Sequence, residues 1–119
     1  MNLSAAVRNP DPPIDLSPCD WADVTRILRE QVPGMEVWAF GSRARRTAKP
    51  YSDLDLALIT LQPLPLHQWA TINDAFAASD LPIRVDLVDW AASSEAFRAI
   101  MARDKVVVQE AHPSVPSAT

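Results

Sequence analysis

The stretch Gly41–Asp55, GSRARRTAKPYSDLD, decides the fold of this chain. It opens with a Gly-Ser pair and closes, after ten intervening residues, with an Asp-x-Asp pair. A glycine at the end of a strand allows a sharp turn and a close approach of the backbone to a ligand. Two carboxylates at positions i and i+2 lie on the same face of a strand, where they can hold divalent metal. In this order the two pairs predict a site for a triphosphate and its metal ions, which is what nucleotidyl transfer requires.

Alternation of side chains supports the strand on which the acidic pair would lie. Leucines occupy positions 54, 56 and 58, so they point to one face, while Asp53, Asp55 and Ala57 point to the other. Just upstream, residues 36–40 read as a second strand that runs directly into Gly41. Residues 42–46 are then expected to open a short helix, whose N-terminus would favour an anion.

A third carboxylate comes from a later apolar segment, residues 83–89. Ile83, Val85 and Leu87 share one face of this predicted strand, and Asp86 lies on the other. A charge in the middle of a strand is expensive unless it meets a cation. If this strand neighbours the Asp-x-Asp strand, three carboxylates converge and supply the oxygen ligands that Mg²⁺ prefers. Two such ions could clamp the attacking and leaving oxygens of an in-line displacement. Asp89 has the opposite parity and is interpreted as a cap or surface residue.

These motifs resemble the DNA polymerase beta-like nucleotidyltransferase superfamily, most closely its minimal nucleotidyltransferase (MNT) branch. The resemblance rests on Gly41-Ser42-Arg43-Ala44-Arg45, on Ser52-Asp53-Leu54-Asp55-Leu56-Ala57 and on the later Asp86, within residues 18–110. It implies that Ser42 contacts the nucleotide phosphates, that Asp53 and Asp55 bind Mg²⁺, and that Asp86 completes the metal site. Asp86 would also help to activate the incoming hydroxyl. One position departs from the pattern, because Arg46 stands where many members have glycine.

Length and composition favour one small α/β (α+β) domain. The chain has 119 residues, of which 48% are hydrophobic, enough for a single core. We expect a flexible N-terminal segment over 1–17, a nucleotidyltransferase domain over 18–110 and a flexible tail over 111–119. Ser17 and Pro18 are typical of a helix start. The predicted order α-β-α-β-α-β-α-β suggests a mixed sheet, the polymerase-beta-like palm, with helices on one face and the carboxylates on the open face.

Charge is distributed unevenly along the chain. The net charge of −4 argues against binding to duplex nucleic acid. Four of the eleven basic residues nevertheless lie between the two halves of the motif: Arg43, Arg45, Arg46 and Lys49. This cluster suits a triphosphate, with Gly41, Ser42, Arg43 and Arg45 as the nucleotide-binding residues, although a run of arginines can also be a plain solvated surface.

The expected compartment is the cytoplasm. Cys19 is the single cysteine, which excludes an internal disulfide and suggests a reducing environment. No apolar stretch is long enough for a membrane span.

The resemblance also implies a partner and a reaction. Larger superfamily members carry an extra helical domain that grips the acceptor, and none is visible here, so we expect a separate chain to complete the site. MNT proteins commonly pair with a small helical HEPN protein in toxin–antitoxin modules. In some systems the MNT antitoxin transfers AMP from ATP to a tyrosine of that partner, which is the leading hypothesis. Two alternatives remain: nucleotide transfer to a small molecule, and a non-catalytic antitoxin that acts by binding alone.

Overall fold

The computed structural model describes residues 11–111. Three α-helices and four strands follow one another in this part of the chain: α1 Pro18–Gln31, β1 Val37–Phe40, β2 Leu54–Leu58, α2 Leu66–Ala77, β3 Val85–Asp89, α3 Glu95–Asp104 and β4 Val106–Gln109. As predicted, α1 starts at Ser17, whose side chain accepts a hydrogen bond from the Asp20 N–H, with Pro18 in the first turn. No helix within residues 11–111 has the length and apolarity that crossing a membrane requires.

The strands form one mixed sheet in the order β3-β2-β1-β4. β1 pairs antiparallel with both β2 and β4, whereas β2 and β3 run parallel. The predicted mixed sheet is therefore confirmed. Parallel neighbours need a crossover, and α2 provides it between β2 and β3.

One face of the sheet carries the main hydrophobic core. Leu54, Leu56 and Leu58 are fully buried there, as their alternation predicted. They pack with residues of α1 and α2, including Leu28 and Ile72, which are also fully buried. Removal of these large aliphatic side chains from water is the main force that holds α1 and α2 on the sheet.

The position of α3 differs from the expectation of helices on one face. Met101 and Phe97 of α3 pack against Trp38, Phe40 and Ala57, whose side chains lie on the opposite face of the sheet from the leucines. This second face is apolar along β1, so it needs a cover of its own. α3 supplies that cover.

The segment before α1 also differs from the expectation of a flexible stretch over 1–17. Ile14 is 1% exposed and belongs to the main core. The backbone N–H of Asp15 donates to the Arg43 carbonyl at 2.8 Å. Residues 11–17 are thus packed against the domain, while residues 1–10 and 112–119, which include most of the predicted tail, lie outside the described residues.

Candidate active site

The register of the sheet places two of the predicted carboxylates side by side. Asp55 of β2 and Asp86 of β3 are direct partners across the parallel pair. Their strand neighbours Leu56 and Leu87 are buried in the main core, so both carboxylates point to the other face. Asp55 is half-buried and Asp86 is exposed.

Asp53 completes the acidic group from the residue just before β2. It is exposed and has the same parity as Asp55. Burial raises the pKa of Asp55, the charges of Asp86 and Asp53 raise it further, and the charge of Arg45 acts in the opposite sense. The charges of Asp53 and Asp86 therefore both act on Asp55, and the three acids share one electrostatic environment.

The carboxylate oxygens of the three acids on the sheet lie farther apart than those of three residues that bind one ion. Within residues 11–111, the trio whose ligand atoms all lie within 4.8 Å of one another is Cys19, Asp20 and Asp23 on α1, and not the three acids on the sheet. Mutual repulsion keeps like charges apart. An exposed ion pair of 3.9 Å joins Arg84 to Asp86, and such pairs offset little repulsion. Three facing carboxylates whose repulsion is incompletely offset are a donor set that fits a hard divalent cation such as Mg²⁺.

Gly41 lies directly against the Asp55 carboxylate. It follows Phe40, which is the partner of Asp55 across β1 and β2. Its φ of +78° is in the left-handed region, and a Cβ at this position would come within 2.5 Å of Asp55 Oδ2. Both facts favour glycine here, so Gly41 allows the backbone of the loop to pass beside the carboxylate.

The segment after Gly41 forms successive turns instead of the expected short helix. The Arg45 N–H donates to the Gly41 carbonyl at 3.0 Å, and the Thr47 N–H donates to the Ser42 carbonyl at 2.9 Å. Arg46 then has a φ of +60°, which ends any helical continuation. A left-handed residue at this position explains why glycine is suited to it. The Arg46 side chain donates to the Pro12 carbonyl at 2.7 Å.

These turns leave a run of backbone donors beside the acidic group. No acceptor within residues 11–111 takes the N–H of Ser42, Arg43 or Ala44. Consecutive N–H groups in a turn make an anion-binding concavity. The predicted role of the Gly-Ser pair in holding phosphate thus has donors available to it, although the helix dipole that we expected to assist is lacking.

The side chain of Arg43 has a structural role, whereas the sequence predicted that it binds the nucleotide. It is 7% exposed. Its guanidinium donates to four backbone carbonyls, those of Asp15, Lys49, Pro50 and Ser52, at 2.7 to 3.4 Å. These bonds occupy its Nε, Nη1 and Nη2 atoms. The side chain therefore joins the Gly-Ser half of the motif to Ser52, the residue that precedes Asp53. Because its nitrogens already donate to carbonyls, it is poorly suited to contact a phosphate.

Among the arginines of the loop, Arg45 is the one whose charge acts on Asp55. It is half exposed, and its Nη1 donates to Asp104 Oδ2 at 2.7 Å. Burial alone would raise the pKa of Asp104, but hydrogen bonds and positive charge from Arg45 and Arg103 outweigh it and lower that pKa. Sequence reasoning missed Asp104, because an acid at the end of a helix carries no local signal of a contact with a loop 59 positions away.

Comparison with known proteins agrees with this geometry. A family model described as polymerase beta, nucleotidyltransferase matches residues 23–113. The chain belongs to this nucleotidyltransferase family. It is 47% identical over 106 residues to a Haemophilus influenzae protein named "Probable protein adenylyltransferase MntA", an alignment that covers 89% of this chain and 93% of that one.

Solved structures of low sequence identity share the nucleotidyltransferase fold. A toxin–antitoxin crystal structure with AMP-PNP superposes with a TM-score of 0.65 at 22% identity and covers 79% of this chain and 76% of that one. A complex of tri-AMPylated Shewanella oneidensis HEPN toxin with MNT antitoxin gives 0.58 at 19% identity, with 77% and 71% covered. These structures confirm the predicted polymerase-beta-like fold, and the 47% identity to the protein named MntA confirms the resemblance to the MNT branch.

Proposed function

We propose that this nucleotidyltransferase is an antitoxin that transfers AMP from ATP to a tyrosine of a small helical HEPN-type partner in the cytoplasm. The observation that carries the proposal is the 47% identity, over nearly the whole of both chains, to a protein named as a protein adenylyltransferase. The acidic group and the free N–H groups beside it support the chemistry, because they provide for both a metal and a triphosphate.

In this proposal, the Gly-Ser half of the motif binds the triphosphate and the acidic residues bind the metal. The N–H groups of Ser42, Arg43 and Ala44, the Ser42 hydroxyl and the Arg45 guanidinium would bind the triphosphate. Asp53, Asp55 and Asp86 would hold Mg²⁺, with two ions expected. The ions would neutralise charge on the phosphates.

Asp86 is the carboxylate that we propose to meet the acceptor. It is more exposed than Asp55 and lies on the edge strand of the sheet. Asp86 would orient the acceptor hydroxyl and accept its proton. The phenolic oxygen attacks the α-phosphorus of ATP, the bond to the β-phosphate oxygen breaks, and pyrophosphate leaves. Holding both reactants in line supplies much of the rate enhancement of such a transfer.

The test is transfer of label to the partner. The chain is incubated with a candidate HEPN-type helical protein, Mg²⁺ and ATP labelled in the α-phosphate, and mass spectrometry locates the adduct. We expect label on a tyrosine of the partner. Asp53→Ala should still form the complex but leave the partner unlabelled and cells unprotected.

A matched control tests whether the loss of labelling is specific to Asp53 or follows from the removal of any exposed aspartate. Asp80 is exposed and makes no ion pair or side-chain hydrogen bond within residues 11–111, so Asp80→Ala should label the partner like the wild type. Protection that survives Asp53→Ala would favour neutralisation by binding alone. Label on a soluble acceptor without any partner would favour a small-molecule transferase.

A further inference from the structure

The contact between Arg45 and Asp104 brings the end of α3 to the edge of the acidic group. Arg45 acts electrostatically on Asp55 and is hydrogen-bonded to Asp104. The side chain of Asp104 is 7% exposed, whereas that of Arg45 is 50% exposed. The acid is thus the buried member of the pair, and the arginine is the solvent-exposed member, whose charge acts on Asp55.

Asp104 occupies a position that helix electrostatics disfavours. It is the last residue of α3, where the carbonyl ends of the helix dipole repel an anion. Arg103 offsets part of that repulsion through its Nε, which lies 3.3 Å from Asp104 Oδ1, but Arg103 is 69% exposed. The shorter bond, 2.7 Å, goes to Arg45 from a different segment of the chain. The hydrogen bond to Arg45 is therefore the interaction that best explains an acid at this place.

The hydrogen bonding of Arg45 leaves donors for a second anion. Its Nη1 is used by Asp104, and its Nε and Nη2 donate to no acceptor within residues 11–111. A guanidinium has five N–H donors in a fixed planar fork, so fixing one nitrogen orients the others. They belong to the same loop as the free N–H groups of residues 42–44.

We propose that Asp104 is a positioning residue, which holds the Arg45 guanidinium so that its free donors meet the triphosphate of the nucleotide. The inference rests on the proposed function for the identity of the nucleotide. It adds a residue of α3, a helix on the acidic face, to the determinants of nucleotide affinity. Without Asp104, Arg45 would sample many rotamers and bind phosphate less well.

The experiment measures ATP binding, which needs no partner protein. ATP with MgCl₂ is titrated calorimetrically into the wild type, Asp104→Ala, Arg45→Ala and the double variant. Loss of one charge-assisted contact corresponds to about tenfold weaker binding, and we expect this for each single variant. The double variant should bind no more weakly than Arg45→Ala, because both changes remove the same contact. In the transfer assay, Asp104→Ala should raise KM for ATP and leave kcat at saturating ATP unchanged.

Controls distinguish positioning from a structural role. Arg103→Ala removes the other partner of Asp104 and should bind ATP like the wild type. Thermal unfolding shows whether Asp104→Ala folds normally. Asp104→Asn retains the volume of the side chain, so it should give an intermediate loss of ATP affinity even if Asp104→Ala folds poorly.

Three results would overturn the proposal: unchanged ATP binding in Asp104→Ala, tighter binding in that variant, or additive losses in the double variant. Tighter binding would mean that Asp104 competes with phosphate for Arg45. If ATP binds as expected but the partner is not labelled, the proposed function fails while the positioning role stands.

Discussion

Replacement of Gly41 by alanine tests the link between the loop and the carboxylates. At a φ of +78°, a residue with a Cβ costs about 1–2 kcal/mol relative to glycine. The new Cβ would lie 2.5 Å from Asp55 Oδ2, so the oxygen must retreat to an ordinary contact of 3.4 Å, a displacement of about 0.9 Å. The carboxylate is the free end of a side chain and can rotate away cheaply. Most of the damage should therefore appear in activity, where a misplacement of about 1 Å lowers rates roughly a hundredfold.

Gly34→Ala provides a matched control. Gly34 has the same φ of +78° but lies before β1, at the opposite end of that strand from Gly41. Urea denaturation of both variants should give similar losses, about 1–2 kcal/mol each. Only Gly41→Ala should lower AMP transfer to the partner, by about a hundredfold at saturating ATP and Mg²⁺. Equal transfer rates in the two variants would refute the argument that a side chain at position 41 lowers activity by displacing the Asp55 carboxylate.

Two further variants test the electrostatics and the packing of the site. Burial and neighbouring acids raise the pKa of Asp55 in the folded state. The folded chain therefore binds more protons than the unfolded chain just above pH 3.8. The stability that Asp55 contributes in its protonated form is lost as the pH rises through the folded-state pKa. In metal-free buffer, Asp55→Asn should hence be more stable than the wild type at pH 7, with a difference that shrinks below pH 3.8; a variant less stable at pH 7 would contradict this sign. Arg43→Lys retains the charge but not the fork that serves four carbonyls, and it should lower the free energy of unfolding by about 3 kcal/mol, since each unsatisfied buried polar group costs about 1–3 kcal/mol. The exposed Arg26→Lys should change stability by less than about 0.5 kcal/mol, and equal losses in the two lysine variants would exclude the clamp.

Several features of the site followed from short-range patterns. The alternation of leucines and aspartates fixed which side chains of β2 enter the core, because neighbouring residues of a strand point to opposite faces. The same rule assigned Asp86 to the face of Asp55, and the register of β2 and β3 confirmed it. The helix start at Ser17 and the capping role of Asp89, which accepts from the Ala91 N–H, were likewise local.

Other features depended on residues far apart in the chain. Arg43 and Arg45 stand two positions apart in one basic run, yet the first is buried among carbonyls and the second is half exposed and paired with Asp104. Their surroundings come from Asp15 and Asp104, which no local pattern connects to the loop. The position of α3 was also beyond a periodicity argument, because an apolar stripe shows that a helix packs but not on which face of a sheet.

The sequence by itself determined that this chain carries a Gly-Ser turn, an Asp-x-Asp strand and a third acid on the same face, and with them its nucleotidyltransferase family. These are properties of spacing and parity, which the backbone expresses locally. The tertiary structure alone decided that α3 covers part of the acidic face, that Arg43 joins the two halves of the motif and that Asp104 holds Arg45. The physical reason is that an arginine becomes a clamp, a ligand or a solvated side chain according to the acceptors around it, and folding brings those acceptors from distant parts of the chain.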